Sequence, residues 1–198
     1  MHRLPLFQAL RKDGLLCTVS DLELYVRRPK VASAAAGCPT REAAGSLSGQ
    51  PLNGERPVYL MSVGDAGAGV IAISRKNIDS MGWLGQKTPW LVERRYTGPL
   101  LVRGRRIDEP GPVRFALGAG QHLAELRFAA GGKNSLDGRF RDLASASLFR
   151  SAGCYGFQLD GTSFSRVVVM RVVEVPAEGE LIAPAGYSSF DGPEGQVP

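Results

Sequence analysis

Histidine, cysteine and long apolar runs are all scarce in this chain, and each scarcity excludes a class of function. The histidines are His2 and His122 and the cysteines are Cys17, Cys38 and Cys154, with no Cys-x-x-Cys or His-x-x-x-His spacing among them. Structural zinc sites gather their ligands in such short pairs, so no metal site is expected. No apolar run approaches the roughly 18–20 residues that a membrane-crossing helix needs, which predicts no transmembrane segment. Lysine and arginine total 24 against 19 acidic residues, a formal charge of +5. The excess is spread along the chain without the basic block of a nucleic-acid-binding arm, so no nucleic-acid partner is expected.

Motifs for nucleotide, calcium and serine chemistry are also missing. The stretch GDAGAGV at 64–70 is glycine-rich but lacks the Lys-Ser/Thr of a phosphate-binding loop, and strand-like VIAIS follows it, so it reads as a hairpin loop. Glu109, Asp137, Asp142 and Asp160 are isolated and make no calcium-loop spacing. The run GTSFS, with Ser163 and Ser165, is not a Gly-x-Ser-x-Gly elbow. No cofactor is expected.

What is present falls into three regions. Residues 1–55 are rich in Ala, Gly, Ser, Pro and Arg and read as an irregular segment and linker, with one short helix over Asp21–Arg28. Residues 56–175 hold most of the β-branched and aromatic runs. Residues 176–198 return to Pro, Gly and acidic residues and read as a tail. In the middle region, short apolar runs between turn residues predict strands at Val58–Val63, Val70–Ser74, Trp90–Arg94, Leu100–Arg103, Val113–Leu117, Leu123–Phe128, Tyr155–Leu159 and Ser163–Val175. Asp142–Phe149 alone reads as a short helix. The pattern predicts an all-β domain, a two-sheet sandwich with irregular N- and C-terminal extensions.

The last two strands invite a register. A two-residue turn at Asp160-Gly161 would set Leu159 opposite Thr162 and Phe157 opposite Phe164. Tyr155, Phe157, Leu159 and Phe164 then share a core face, while Cys154, Gln158, Ser163, Ser165, Val167 and Val169 share the other, read as ordinary surface.

Cys154 has three readings: nucleophile, disulfide half or buried thiol. A cysteine nucleophile needs a base, and a Cys154–His122 pair in a small hydrolase or thiol enzyme is the catalytic reading. No motif accompanies that pair, and the non-catalytic readings are preferred. Recognition potential is concentrated in ERRYTGPLLVRGRRID, where Arg94, Arg95, Tyr96, Arg103, Arg105 and Arg106 flank a turn and could bind an anionic glycan or a partner protein. The plainer reading has these arginines guarding an edge strand and pairing with Glu93, Asp108 and Glu109.

The stretches GWLGQKTPWLVERRYTGPLLVRGRRID (82–108) and SAGCYGFQLDGTSFSRVVVMRV (151–172), with Cys38-Pro39-Thr40, resemble a family of uncharacterised bacterial secreted proteins and lipoproteins. The resemblance implies an immunoglobulin-like β-sandwich in the cell envelope, no assigned activity, and a disulfide between Cys38 and Cys154. The N-terminus departs from that pattern. Arg11, Lys12 and Asp13 interrupt its apolar stretch, and RRPKVASAAAGC, though like the end of a lipoprotein signal, is internal and short in apolar residues. An extracytoplasmic, non-catalytic module is the expectation.

Overall fold

The computed structural model describes Leu24, Val31 and residues 37–64, 66–131 and 138–176. The helix expected at Asp21–Arg28 lies outside the described residues except for Leu24, which is helical and fully buried. The tail beyond residue 176 also lies outside them.

The described chain is all-β. In order the strands are β1 (Gly45–Leu47), β2 (Gln50–Glu55), β3 (Val58–Met61), β4 (Val70–Ser74), β5 (Leu84–Lys87), β6 (Trp90–Glu93) and β7 (Leu100–Arg106). There follow β8 (Gly111–Pro112), β9 (Arg114–Ala116), β10 (Glu125–Phe128), β11 (Phe140–Leu143), β12 (Ala146–Phe149), β13 (Gly153–Asp160) and β14 (Ser165–Val175). They form three sheets, one more than a simple sandwich requires. The first has the order β1-β2-β3-β6-β11, the second β10-β7-β13-β14-β4 with β8 beside β7, and the third β5-β12-β9. All pairs are antiparallel except β14 with β4.

Alternation along the strands builds one core between the sheets. Val58, Leu60, Trp90 and Val92 face inward from the first sheet, Leu100, Val102, Phe157 and Met170 from the second, and Leu84, Phe115 and Phe149 from the third. Trp90 and Phe157 lie 5.6 Å apart between ring centroids, and Phe149 meets Tyr155 edge-on at 4.9 Å. Each such fully buried large side chain contributes about 1.5–3 kcal/mol of transfer free energy.

Three expectations are corrected. The segment read as linker supplies β1 and β2, joined by a Ser48-Gly49 turn in which both residues have positive φ (51° and 78°). That is the twist a two-residue hairpin needs, and glycine supplies it without steric cost. Asp142–Phe149 is not a helix but parts of β11 and β12, which pair in different sheets. Ser145 anchors the step between them by donating to the Thr88 carbonyl and accepting from Trp90 Nε1, so tertiary pairing overrides the local helical preference. The glycine-rich 64–70 stretch is not a hairpin loop either: it carries the chain from β3 in the first sheet to β4 in the second. Buried Asn53 holds this crossover by donating to the Leu60 carbonyl and Ser62 Oγ while its Oδ1 accepts the Gly69 N–H.

The β13–β14 hairpin is wider than expected. Asp160 pairs with Ser165, Leu159 with Arg166 and Phe157 with Val168, so residues 161–164 form the loop and no two-residue turn exists. Phe164 accounts for the shift, because its ring packs edge-on against Tyr96 at 4.9 Å within the core. The displacement is an even number of residues, so the division into faces survives it. Tyr155, Phe157 and Leu159 are buried on the inner face as expected, and Val168 and Met170 join them from β14.

The outer face is not ordinary surface. Cys154, Gln158 and Asp160 are buried there, and Val31 packs with Ile107 and Cys154. Arg103 Nη2 donates to Asp160 Oδ2 at 2.6 Å, and Gln158 Nε2 donates to the same carboxylate. Gly156 allows the close approach, since a Cβ built there would lie 2.4 Å from Val31 Cγ1. Gly156→Ala is therefore expected to cost about 1–3 kcal/mol through overpacking, read as a lower urea midpoint at unchanged slope. A variant as stable as the wild type would show that Val31 does not seat on this face.

Candidate functional site

The six residues singled out for recognition do not form one patch. Arg94 and Arg95 lie in the turn after β6, where Arg95 Nε donates to Glu93 Oε2 at 2.7 Å and Arg94 Nη1 to the Gly138 carbonyl at 3.2 Å. Tyr96 turns inward, with its hydroxyl donating to the Pro99 carbonyl at 2.6 Å. Arg103 is committed to buried Asp160. Arg106 is engaged by Asp108 and Glu109 and stacks over the Tyr155 ring, while Arg105 is exposed on β7. The edge-guard reading is also corrected for β7, which β10 and β13 flank on both sides. Its pairings with Glu93, Asp108 and Glu109 are present.

A different cleft gathers positive charge. It has a volume of about 780 Å³ and is lined by Arg56, Arg94, Arg95 and Arg139 against only two acidic residues, Glu55 and Glu93. Glu93 sits at its base, 9% exposed, and accepts from Arg56 Nε at 2.7 Å, from Arg95 and from the Tyr59 hydroxyl at 3.2 Å. Burial pushes the Glu93 carboxyl up, and the hydrogen bonds from Arg95 and Arg56 more than offset it, so the group is held below its ordinary value. Burial and the adjacent Glu93 charge push the Tyr59 hydroxyl up. The base of the cleft is thus a fixed carboxylate, and the outer parts of Arg56 and Arg95, 73% and 67% exposed, face solvent.

Buried Arg141 organises the adjoining turn. It donates to the carbonyls of Thr97, Gly98 and Gly131 and lies over the Tyr96 ring, and burial lowers its pKa. Glu93 is expected from the sequence as a partner of the arginines at 94–106, whereas nothing in the sequence points to Arg56 or Arg139 beside them. Arg56 lies in the β2–β3 turn and meets Glu93 only because Val58 pairs with Val92. No local spacing signals that contact.

Cys154 and His122 are engaged separately. Cys154 is bonded to Cys38, with a Cα–Cα distance of 5.4 Å, and its N–H donates to Asp108 Oδ2. His122 Nε2 lies 2.6 Å from Asp79 Oδ2, and its ring is next to Trp83. The structure therefore offers no free Cys154 thiol for a base to activate. No group of three or more metal-binding side chains occurs among the described residues, and no helix among them is long and apolar enough to cross a membrane. No protein family, curated protein or solved structure matches this chain.

Proposed function

We propose that the chain is a non-catalytic, extracytoplasmic module with an immunoglobulin-like sandwich at its centre, and that it docks an anionic polysaccharide of the cell envelope in the arginine cleft. The observation that carries the binding reading is the convergence of Arg56, Arg94, Arg95 and Arg139, from separate parts of the first sheet and its turns, on one open cleft. Exposed guanidinium groups at several points along a cleft suit a polymer with repeating carboxylates, because each takes a carboxylate in a forked pair. The Cys38–Cys154 disulfide supports the compartment, since such bonds persist in oxidising surroundings.

Alginate, a polyuronate, is expected to bind with an affinity that falls as salt rises, whereas neutral dextran does not bind. Arg94→Gln with Arg139→Gln leaves the Glu93 contacts of Arg56 and Arg95 in place and should weaken alginate binding by about tenfold at low salt, with the melting temperature preserved. Arg105→Gln, outside the cleft, should leave binding unchanged. Equal losses in the double variant and Arg105→Gln would mean that net charge alone attracts the polymer.

A further inference from the structure

A second cleft, of about 560 Å³, opens between the loop before β5 and the loop joining β9 to β10. Its rim is unusual for this molecule. Of four large hydrophobic residues exposed among the described residues, Met81 (53%) and Leu117 (50%) line this cleft, and Ile78 (49%) is bridged to Leu84 beside it. Leu148 adds a further apolar wall. Exposed apolar side chains gathered around a concavity mark a ligand site more often than chance scatter does.

The polar groups in the cleft are few and held in place. Asp79 Oδ1 accepts the backbone N–H groups of Met81 and Trp83, at 2.8 and 2.9 Å, which leaves Oδ2 directed at His122 Nε2. The loop that presents His122 is closed by paired hydrogen bonds between Phe115 and Leu123, and by Gln121 Oε1 accepting the Leu117 N–H. Hydrogen bonds from Trp83 and His122 keep the Asp79 carboxyl below its usual range, so it stays ionised and accepts a hydrogen bond from Nε2–H. His122 Nδ1 makes no hydrogen bond among the described residues and is not sealed from solvent. Lys87, exposed on β5, lines the same cleft and has no carboxylate partner among the described residues.

We propose that this cleft binds a small carboxylate with an aliphatic tail, the tail lying against Met81, Leu117 and Leu148 and the carboxylate between Lys87 and His122. With its Nε2 edge held by Asp79, the ring turns its open Nδ1 edge to the carboxylate and donates to it in the doubly protonated form. The charged groups around the ring are Asp79 on one side, Lys87 in the cleft, and Arg114 and Arg150, which stack on neighbouring Trp83. The site is separate from the arginine cleft and stands or falls independently of it.

Decanoate titrated into the full chain by calorimetry is the test, with decanol as the tail-only control. Decanoate should bind at least about tenfold more tightly than decanol, the share of one charge-assisted hydrogen bond. Lys87→Gln should weaken decanoate by about tenfold and leave decanol unchanged. His122→Gln should weaken decanoate similarly and leave decanol unchanged, its melting temperature confirming that it folds. No decanoate binding, equal affinity for decanol, or a decanoate affinity unchanged in Lys87→Gln or in a folded His122→Gln overturns the proposal.

Discussion

Asp160→Ala is expected to destabilise the protein by about 3–5 kcal/mol, with a fall in melting temperature of roughly 10 °C. Asp160 is fully buried at the end of β13, where its carboxylate receives both Arg103, itself only 14% exposed, and Gln158. Removing the carboxylate takes a shared acceptor from a largely buried guanidinium and a buried amide. The pair is costly to break without being a large net source of stability, since burying two charges costs nearly what their attraction returns. A second variant separates these effects. Asp160→Leu combined with Arg103→Met should lose clearly less than Asp160→Ala alone, because both members of the ion pair are removed together. Urea denaturation of the three proteins decides the matter: a single-variant loss below about 1 kcal/mol, or a double variant worse than the single, refutes the account.

Loss of the disulfide should have an effect of similar size. Cys38 and Cys154 are 116 residues apart in sequence, so the bond closes a large loop in the unfolded chain. The chain-entropy estimate for so long a loop is about 5 kcal/mol, and native disulfides commonly contribute about 2–4. The Cys38→Ala, Cys154→Ala double variant is expected to unfold at a urea concentration lower by the equivalent of about 2–4 kcal/mol. The chemistry has its own signature. Denatured but unreduced protein should expose a single reactive thiol, that of Cys17, and reduction should raise the count to all three cysteines. Three thiols before reduction would remove both the stabilisation and the support for an oxidising compartment.

The strands were legible where the residues themselves favour extended pairing. VYLM, VIAIS, WLVE, LLVR and RVVVMRVV are β-branched or aromatic runs, and each forms a strand within a few residues of the expected limits. The segment SLSGQPLNGE was missed because its burial rests on Leu52 and polar Asn53, which the β2–β3–β4 hydrogen bonds satisfy. Only its Ser-Gly turn was available as a local clue. The hairpin register failed for a related reason: Asp-Gly favours a tight turn, and the distant contact between Phe164 and Tyr96 outweighs it. The arginine cleft was half legible. Arg94 and Arg95 were visible as a pair, but Arg56 and Arg139 come from other strands and turns, and only register brings them to Glu93. Cys154 stayed undecided on its own residues, and its bond to Cys38 was anticipated only through a family resemblance.

The place of β14 bears on how the protein forms as it is made. This strand lies inside the second sheet, hydrogen-bonded to β13 on one side and, in parallel, to β4 on the other, with Arg171 opposite Val70. During synthesis β4 emerges about a hundred residues before its neighbour, and until residue 175 follows, its inner residues Ile71 and Ile73 have no strand to complete their sheet. The first sheet, closed by β11 at Leu143, can assemble earlier. Folding on the ribosome would then be late and abrupt in the second sheet, and a chain stalled between these points would present an unfinished β edge to whatever chaperone meets it.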